Sequence, residues 1–429
     1  MMNKSFLLTL VVAGMSLATA WAIRGQFGHV QGASWAGGIG GLSIVLLSGR
    51  KDWYQKAFQL ALASAAGWGI GGIISYGIVV GYGRGIEFGN VYYGLLMLFV
   101  IGALFGLLGG GLFGLMLADR SEKPVKWHRL IVEMAIGAFV FYYLLIGELG
   151  WLMTPPRSEA WAGCFGMVVA MYWYMIRNQQ YAALRVSIFA ALGGGFGFAF
   201  GNFLQVIGNV SGIKFNFWNV MEYSIGFFGG IGMAYGTFTS EWEKSKETIS
   251  KNRLLAPIIV LSLVIPFIVW DQSFGTDRLS KTIQEISPAS DALSVTHYVQ
   301  WTALLLVLLF FAGTLYKFYL SRKESQLMLT FHELKLFMLY NLGLYTVYSL
   351  LVTCAFMSLY RVEQYLYIIN LAIVTFLLGK THPYFSNRGI NLNRWVINLA
   401  FLLAVIALLT ALAVSSHGED LNGAHNRFE

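Results

Sequence analysis

Arg24-Gly25-Gln26-Phe27-Gly28-His29-Val30-Gln31-Gly32 lies between two apolar runs and gathers a guanidinium, two amides, an imidazole and three glycines in nine residues. Glycines beside polar groups favour irregular backbone, which lipid tolerates only where protein or a water-filled cavity covers it. Arg24, Arg84 or Lys214 suits a carboxylate or phosphate, Gln26 and Gln31 are further candidates for binding a solute, and His29 with Glu148 or Glu87 has the groups for acid–base work. Further polar residues lie in the same part of the chain's pattern. Arg84, Glu87 and Asn90 fall in Gly83-Arg84-Gly85-Ile86-Glu87-Phe88-Gly89-Asn90, and Lys214 falls in Asn209-Val210-Ser211-Gly212-Ile213-Lys214-Phe215-Asn216. Asn202, Asn219 and Glu222 lie inside apolar runs, where polar groups are costly and are functional candidates by default.

Conventional catalytic and metal motifs are missing. Cys164 and Cys354 form neither a CxxC nor a disulfide framework, and His332-Glu333 lacks a second ligand at helical spacing. There is no GxSxG elbow and no P-loop; Gly81-x-Gly83-x-Gly85 lacks the preceding strand and soluble helix that a nucleotide site needs. No catalytic residue, metal or cofactor is therefore expected.

The elements that must position these groups follow from composition. Of 429 residues, 57% are hydrophobic and 12% charged, about half the charge of an ordinary soluble domain, and mean hydropathy is +0.62. Apolar runs long enough to cross about 30 Å of hydrocarbon fall at 5–22, 30–48, 57–80, 91–117, 130–149, 158–176, 184–207, 217–238, 254–270, 296–316, 333–358, 364–379 and 394–415. They predict an all-α polytopic membrane protein with about 13 transmembrane helices. Continuous rather than alternating apolarity excludes a β-barrel.

Sorting the loops by this span count puts 21 of the 29 Lys and Arg on one side and 8 on the other. Basic residues accumulate on the cytoplasmic side, so the expected topology is N-terminus inside and C-terminus outside, in the inner (plasma) membrane. The +8 net charge is spread through short loops, which argues against nucleic acid. Residues 5–22 resemble a secretory signal, yet they have a non-cleavable counterpart further on, and retention is expected. Residues 317–335 read as an amphipathic helix on the membrane surface, and 271–295 as the longest outer loop.

An internal duplication sets the domain organisation. Trp35-Ala36-Gly37 and Gly40 recur as Trp161-Ala162-Gly163 and Gly166 at an offset of 126, as do Ala65, Gly67, Gly69 and Gly71 at Ala191, Gly193, Gly195 and Gly197. Gly85-Ile86-x-Phe88 recurs at 212–215 with an offset of 127. An even number of spans per copy keeps the orientation, so two parallel four-helix repeats are expected at 1–120 and 127–240. A five-helix C-terminal module at 254–416 and an extracytoplasmic tail at 417–429 follow. Glu87 and Lys214 occupy equivalent positions with opposite charge and are expected to pair across the repeats.

The function this pattern favours is a secondary carrier or facilitator for a small polar solute, with a sugar or sugar acid preferred because aromatic side chains stack on sugar faces. Its cavity would lie between the repeats and open to the extracytoplasmic side. One alternative is a membrane-embedded transferase or hydrolase with His29 as general base. Another is a membrane subunit whose outer loops dock a partner. Expected partners are the solute, the lipid bilayer and a second copy in a homo-oligomer.

Overall fold

The structure, a computed structural model, describes residues 4–27, 29–244, 249–322, 326–381, 385–386 and 392–428. In these residues the apolar runs become helices, the geometry that satisfies every backbone polar group within one segment. The order is α1 (Lys4–Arg24), α2 (His29–Leu47), α3 (Lys51–Gln55), α4 (Ala57–Gly71), α5 (Gly77–Tyr82), α6 (Phe88–Ala118), α7 (Trp127–Glu148) and α8 (Ala160–Arg177). Then come α9 (Tyr181–Val210), α10 (Phe217–Phe238), α11 (Asn252–Ser273), α12 (Thr276–Ile286), α13 (Ala292–Leu320), α14 (Phe331–Val352), α15 (Val362–Leu377) and α16 (Leu392–Ser415). Eight of them (α1, α6, α7, α9, α11, α13, α14 and α16) are long and apolar enough to cross a membrane. The chain is a multi-pass helical membrane protein.

Six helices form a closed ring in the order α1, α2, α4, α6, α9, α10 and back to α1. Glycine makes these contacts possible, because small residues let membrane helices approach closely. A Cβ on Gly102 would stand 2.3 Å from the Gly194 carbonyl oxygen, and one on Gly226 would stand 2.6 Å from Ala18 Cα. The ring is filled with aromatics. Trp68 on α4 meets Trp21 on α1 edge-on at 5.1 Å, and Trp21, Phe105 and Phe198 continue the stack at 5.5 and 6.1 Å.

α7 and α8, which the expected duplication matches to α1 and α2, are packed differently. α8 leans on the outside of α6 and α9, and α7 packs on α8 through Gly137 and Gly166 while exposing Ile131, Ile136 and Phe139. In the C-terminal part, α11 lies against α2 and α4, α14 against α2, α15 against α1, and α16 against α6 and α9. Residues 317–320 extend α13, and Gln326–Leu327 pairs antiparallel with Ile249–Ser250, in place of the expected surface helix. The expected outer loop at 271–295 contains α12, which buries Leu279 and Ile283.

Local sequence fixes the helix starts. Thr330 and Glu333 make a reciprocal capping box at α14. Asp291 caps α13, and hydrogen bonds from the Ser294 hydroxyl and N–H hold its carboxyl below the usual carboxylate range.

Candidate functional site

Arg24 is the last residue of α1, and its guanidinium points into the ring rather than out to solvent, leaving the residue 1% exposed. It sits there because Gly32 on α2 leaves room for its stem: a Cβ on Gly32 would be 2.9 Å from Arg24 Cγ. Arg24 Nη1 donates to Tyr76 Oη at 2.8 Å and to Glu222 Oε2 at 3.3 Å. Tyr76 Oη donates in turn to Glu222 Oε1 at 2.6 Å, and Trp218 Nε1 donates to the same oxygen at 3.1 Å. Glu222, one turn above Trp218 on α10, is 0% exposed. The guanidinium lies 4.9 Å from the Trp21 ring and 5.6 Å from the Tyr76 ring. The result is a buried Arg–Tyr–Glu triad walled by aromatic rings.

Tyr76 reaches the triad because the third apolar run, 57–80, is broken. α4 stops at Gly71 and α5 begins at Gly77, and Tyr76 is the residue before α5. Interrupted helices whose unwound backbone lines a polar site recur in membrane carriers. On the other side of Arg24, Tyr345 of α14 donates to the Gly32 carbonyl oxygen at 3.0 Å and stacks on Trp35 at 4.3 Å and Phe27 at 5.3 Å. Asn341 accepts a hydrogen bond from Trp35 Nε1.

A second polar layer closes this end of the bundle. Gln26 Oε1 accepts from Arg361 at 2.7 Å, and the Gln26 carbonyl oxygen accepts from Arg278 of α12 at 2.9 Å. Arg361 lies 3.7 Å from Glu363, whose carboxylate also accepts from Asn216 at 3.0 Å. Asn202, fully buried on α9, donates to the Val80 carbonyl oxygen of α5 and to Gln205, each at 3.3 Å. Asn219 is buried in the first turn of α10, directly after Trp218 and about one turn before Glu222.

Of the twelve residues singled out in the sequence, Arg24, Gln26, Asn202, Asn219 and Glu222 converge here. Gln31 is half-buried on the first turn of α2, and the His29 side chain lies outside the described residues. Arg84 and Asn90 are engaged elsewhere, by residues 420–427. Glu87, Glu148 and Lys214 are exposed, and the expected Glu87–Lys214 ion pair is not made among the described residues. Glu87→Ala and Lys214→Ala should each change stability by no more than about 0.5 kcal/mol. A thermal melt showing a larger loss for either would reveal a contact that their exposure denies. Tyr76, Trp218 and Tyr345 were not legible as site residues from sequence; the one pointer was Gly71-Gly72 followed by Gly77, glycines that interrupt an apolar run.

The opposite end of the bundle has a polar pocket of about 620 Å³ at the ends of α6, α9 and α10. Two of its cations are already engaged. Arg120 pairs with Glu243, holding that carboxyl below its usual range, while Arg185 donates to Thr239 Oγ1 and lies 4.7 Å from the Phe189 ring. Glu241 faces the same space. Among the described residues, no group of His, Cys, Asp and Glu is placed to hold a metal ion.

Fold and site together define a multi-pass helical membrane protein with a charged polar centre sealed inside a six-helix ring. No protein-family model, curated protein or solved structure matches the chain.

Proposed function

We propose that this protein is a secondary carrier or facilitator for a small polar solute, preferably a sugar or sugar acid, bound at Arg24, Tyr76 and Glu222. The observation that carries the reading is the triad itself. An ion pair buried in a helical bundle gains little stability over apolar packing, and ionisable residues at membrane depth characteristically mark solute or ion pathways. The triad draws Arg24 and Tyr76 from one proposed repeat and Glu222 and Trp218 from the other. That is the place where a parallel duplication puts a shared site. The ring edges and faces of Trp21, Tyr76 and Trp218 suit a sugar, and the three hydrogen-bonding side chains suit its hydroxyls.

In this reading the chain crosses the inner membrane thirteen times. The five additional spans are α2, the broken pair α4–α5, α8, α10 and α15, and the 21-to-8 partition of Lys and Arg supports a cytoplasmic N-terminus and an outer C-terminus. With Arg24 and Glu222 1% and 0% exposed, the conformation described is the occluded one. The test is uptake of labelled glucose, galactose, glucuronate and galacturonate by proteoliposomes. A member of this panel should accumulate in a protein-dependent way, and Tyr76→Phe, which removes the hydroxyl but keeps the ring, should cut that uptake by about tenfold or more, the loss expected when a buried polar partner is left unpaired. No protein-dependent uptake across the panel, or chemical conversion of a panel member, overturns the carrier reading for this substrate class.

A further inference from the structure

We propose that residues 417–428 form a strap that holds α5, and with it Tyr76, in the closed position, so that release of the strap opens the Arg24–Glu222 site. The inference rests on the reading that this site admits a solute. After α16 ends against α6 and α9, the chain runs across the loop between α5 and α6 instead of leaving the surface. The Leu421 N–H donates to the Arg84 carbonyl oxygen, and the His425 N–H donates to the Gly81 carbonyl oxygen, each at 3.1 Å. Two bonds run the other way: the Ile86 N–H donates to Asp420 Oδ1 at 3.1 Å, and Arg84 Nη1 donates to the Asn422 carbonyl oxygen at 3.0 Å.

Asn90 clamps the assembly. Its side-chain amide donates to the Tyr82 carbonyl oxygen of α5 at 3.2 Å and to the His425 carbonyl oxygen of the strap at 2.9 Å, and its oxygen accepts from the Arg427 N–H at 2.8 Å. One buried side chain on α6 thus ties helix to strap. Glycines make the seat. A Cβ on Gly81 would stand 2.3 Å from His425 Cδ2, and Gly423 turns the strap with φ +75°, a conformation that side chains disfavour. Phe428 closes the far side against Tyr93 at 5.3 Å.

What the strap holds is a half-helix of six residues. So short a helix has little stability of its own, and its other face meets Asn202 through the Val80 carbonyl oxygen. Tyr76 immediately precedes it, so a displacement of α5 moves the phenol that bridges Arg24 and Glu222. Most strap residues are themselves exposed, so the strap is fixed by hydrogen bonds rather than by apolar burial. Elements held in that way are the ones that open locally at low cost.

The experiment reads access directly and needs no solute. Val80, in α5, is 0% exposed, and Val80→Cys introduces a thiol of similar size; the native Cys164 and Cys354 are buried and set the background. Labelling by a water-soluble maleimide should speed up about tenfold or more when the chain is cut after Ser416, and likewise with Asn90→Ala. The pair Ile86→Cys with Asp420→Cys, once oxidised, should slow labelling below that of the intact strap, and reductant should restore it. Ala183→Cys, buried at the opposite end of the bundle, is the control for general loosening. Unchanged labelling after the cut overturns the proposal, as does an equal rise at the control. If no solute of the panel binds while labelling at Val80→Cys still responds, the carrier reading fails and the strap stands.

Discussion

Glu222→Ala is expected to destabilise the protein by about 3–5 kcal/mol, because it leaves the Arg24 guanidinium buried without its counter-charge. The carboxylate accepts from Tyr76, Trp218 and Arg24 together, so three donors lose an acceptor at once. Glu222→Gln keeps one oxygen for Tyr76 and should lose less. The decisive variant is double. Replacing a buried ion pair by apolar side chains of similar volume is often neutral or better, so Arg24→Met with Glu222→Leu should recover most of the stability lost by Glu222→Ala while leaving no solute site. Thermal melting of the single and double variants gives the coupling, expected near the upper end of the roughly 0.5–3 kcal/mol seen for residues in contact. Losses that simply add would mean that the two charges do not depend on one another, and the triad would cease to be the centre of the site.

How much of this was readable from residues alone differs by element. The helices were, because backbone satisfaction in lipid leaves a long apolar run no other choice. So was the need of Arg24 and Glu222 for partners, since a charge in or beside an apolar run must be paired. Tyr76 was not. It lies 126 residues before Asn202, the offset of the proposed duplication, yet Asn202 sits in an unbroken α9 while Tyr76 sits where its helix is interrupted. A pattern of apolar residues does not distinguish a continuous span from a broken one of the same length.

Burial inside the bundle was legible only through glycine. In a membrane, the faces that meet lipid and the faces that meet protein are both apolar, so periodicity that would reveal a core in water says nothing here. α1 and α7 are counterparts in the proposed duplication, yet α1 is enclosed by the ring and α7 is largely exposed. Gly14 of α1 lies against Phe227 and Ile231 of α10, whereas Gly137 of α7 meets α8. Long-range partners were invisible for a different reason. Arg84 and Asn90 carried the right polarity, but both bind backbone groups more than 300 residues away in residues 420–427, and a backbone group carries no side-chain signature in the sequence.

Trp68→Ala should cost about 3–5 kcal/mol, the range for emptying a large aromatic site, and the surrounding glycines allow a sharper test than the single loss. Trp68 is 0% exposed, and its Nε1 has no hydrogen-bond partner among the described residues, so the indole contributes by volume and not as a donor. Three ring helices have each given up a side chain to hold it. A Cβ on Gly37 would lie 2.5 Å from Trp68 Cβ, one on Gly109 would lie 2.4 Å from Nε1, and one on Gly229 would lie 2.9 Å from Cη2. The three atoms nearest to a Cβ on Gly109 all belong to this one indole, which is rigid and hemmed in by Trp21. Gly109→Ala in the native background should therefore overpack the ring and cost about 1–3 kcal/mol. In the Trp68→Ala background the same methyl enters the space that the indole vacated, and its cost should vanish or reverse. Equal costs of Gly109→Ala in the two backgrounds, read from melting curves, would show that the glycine serves some need other than room for Trp68, and that the ring is not centred on that side chain.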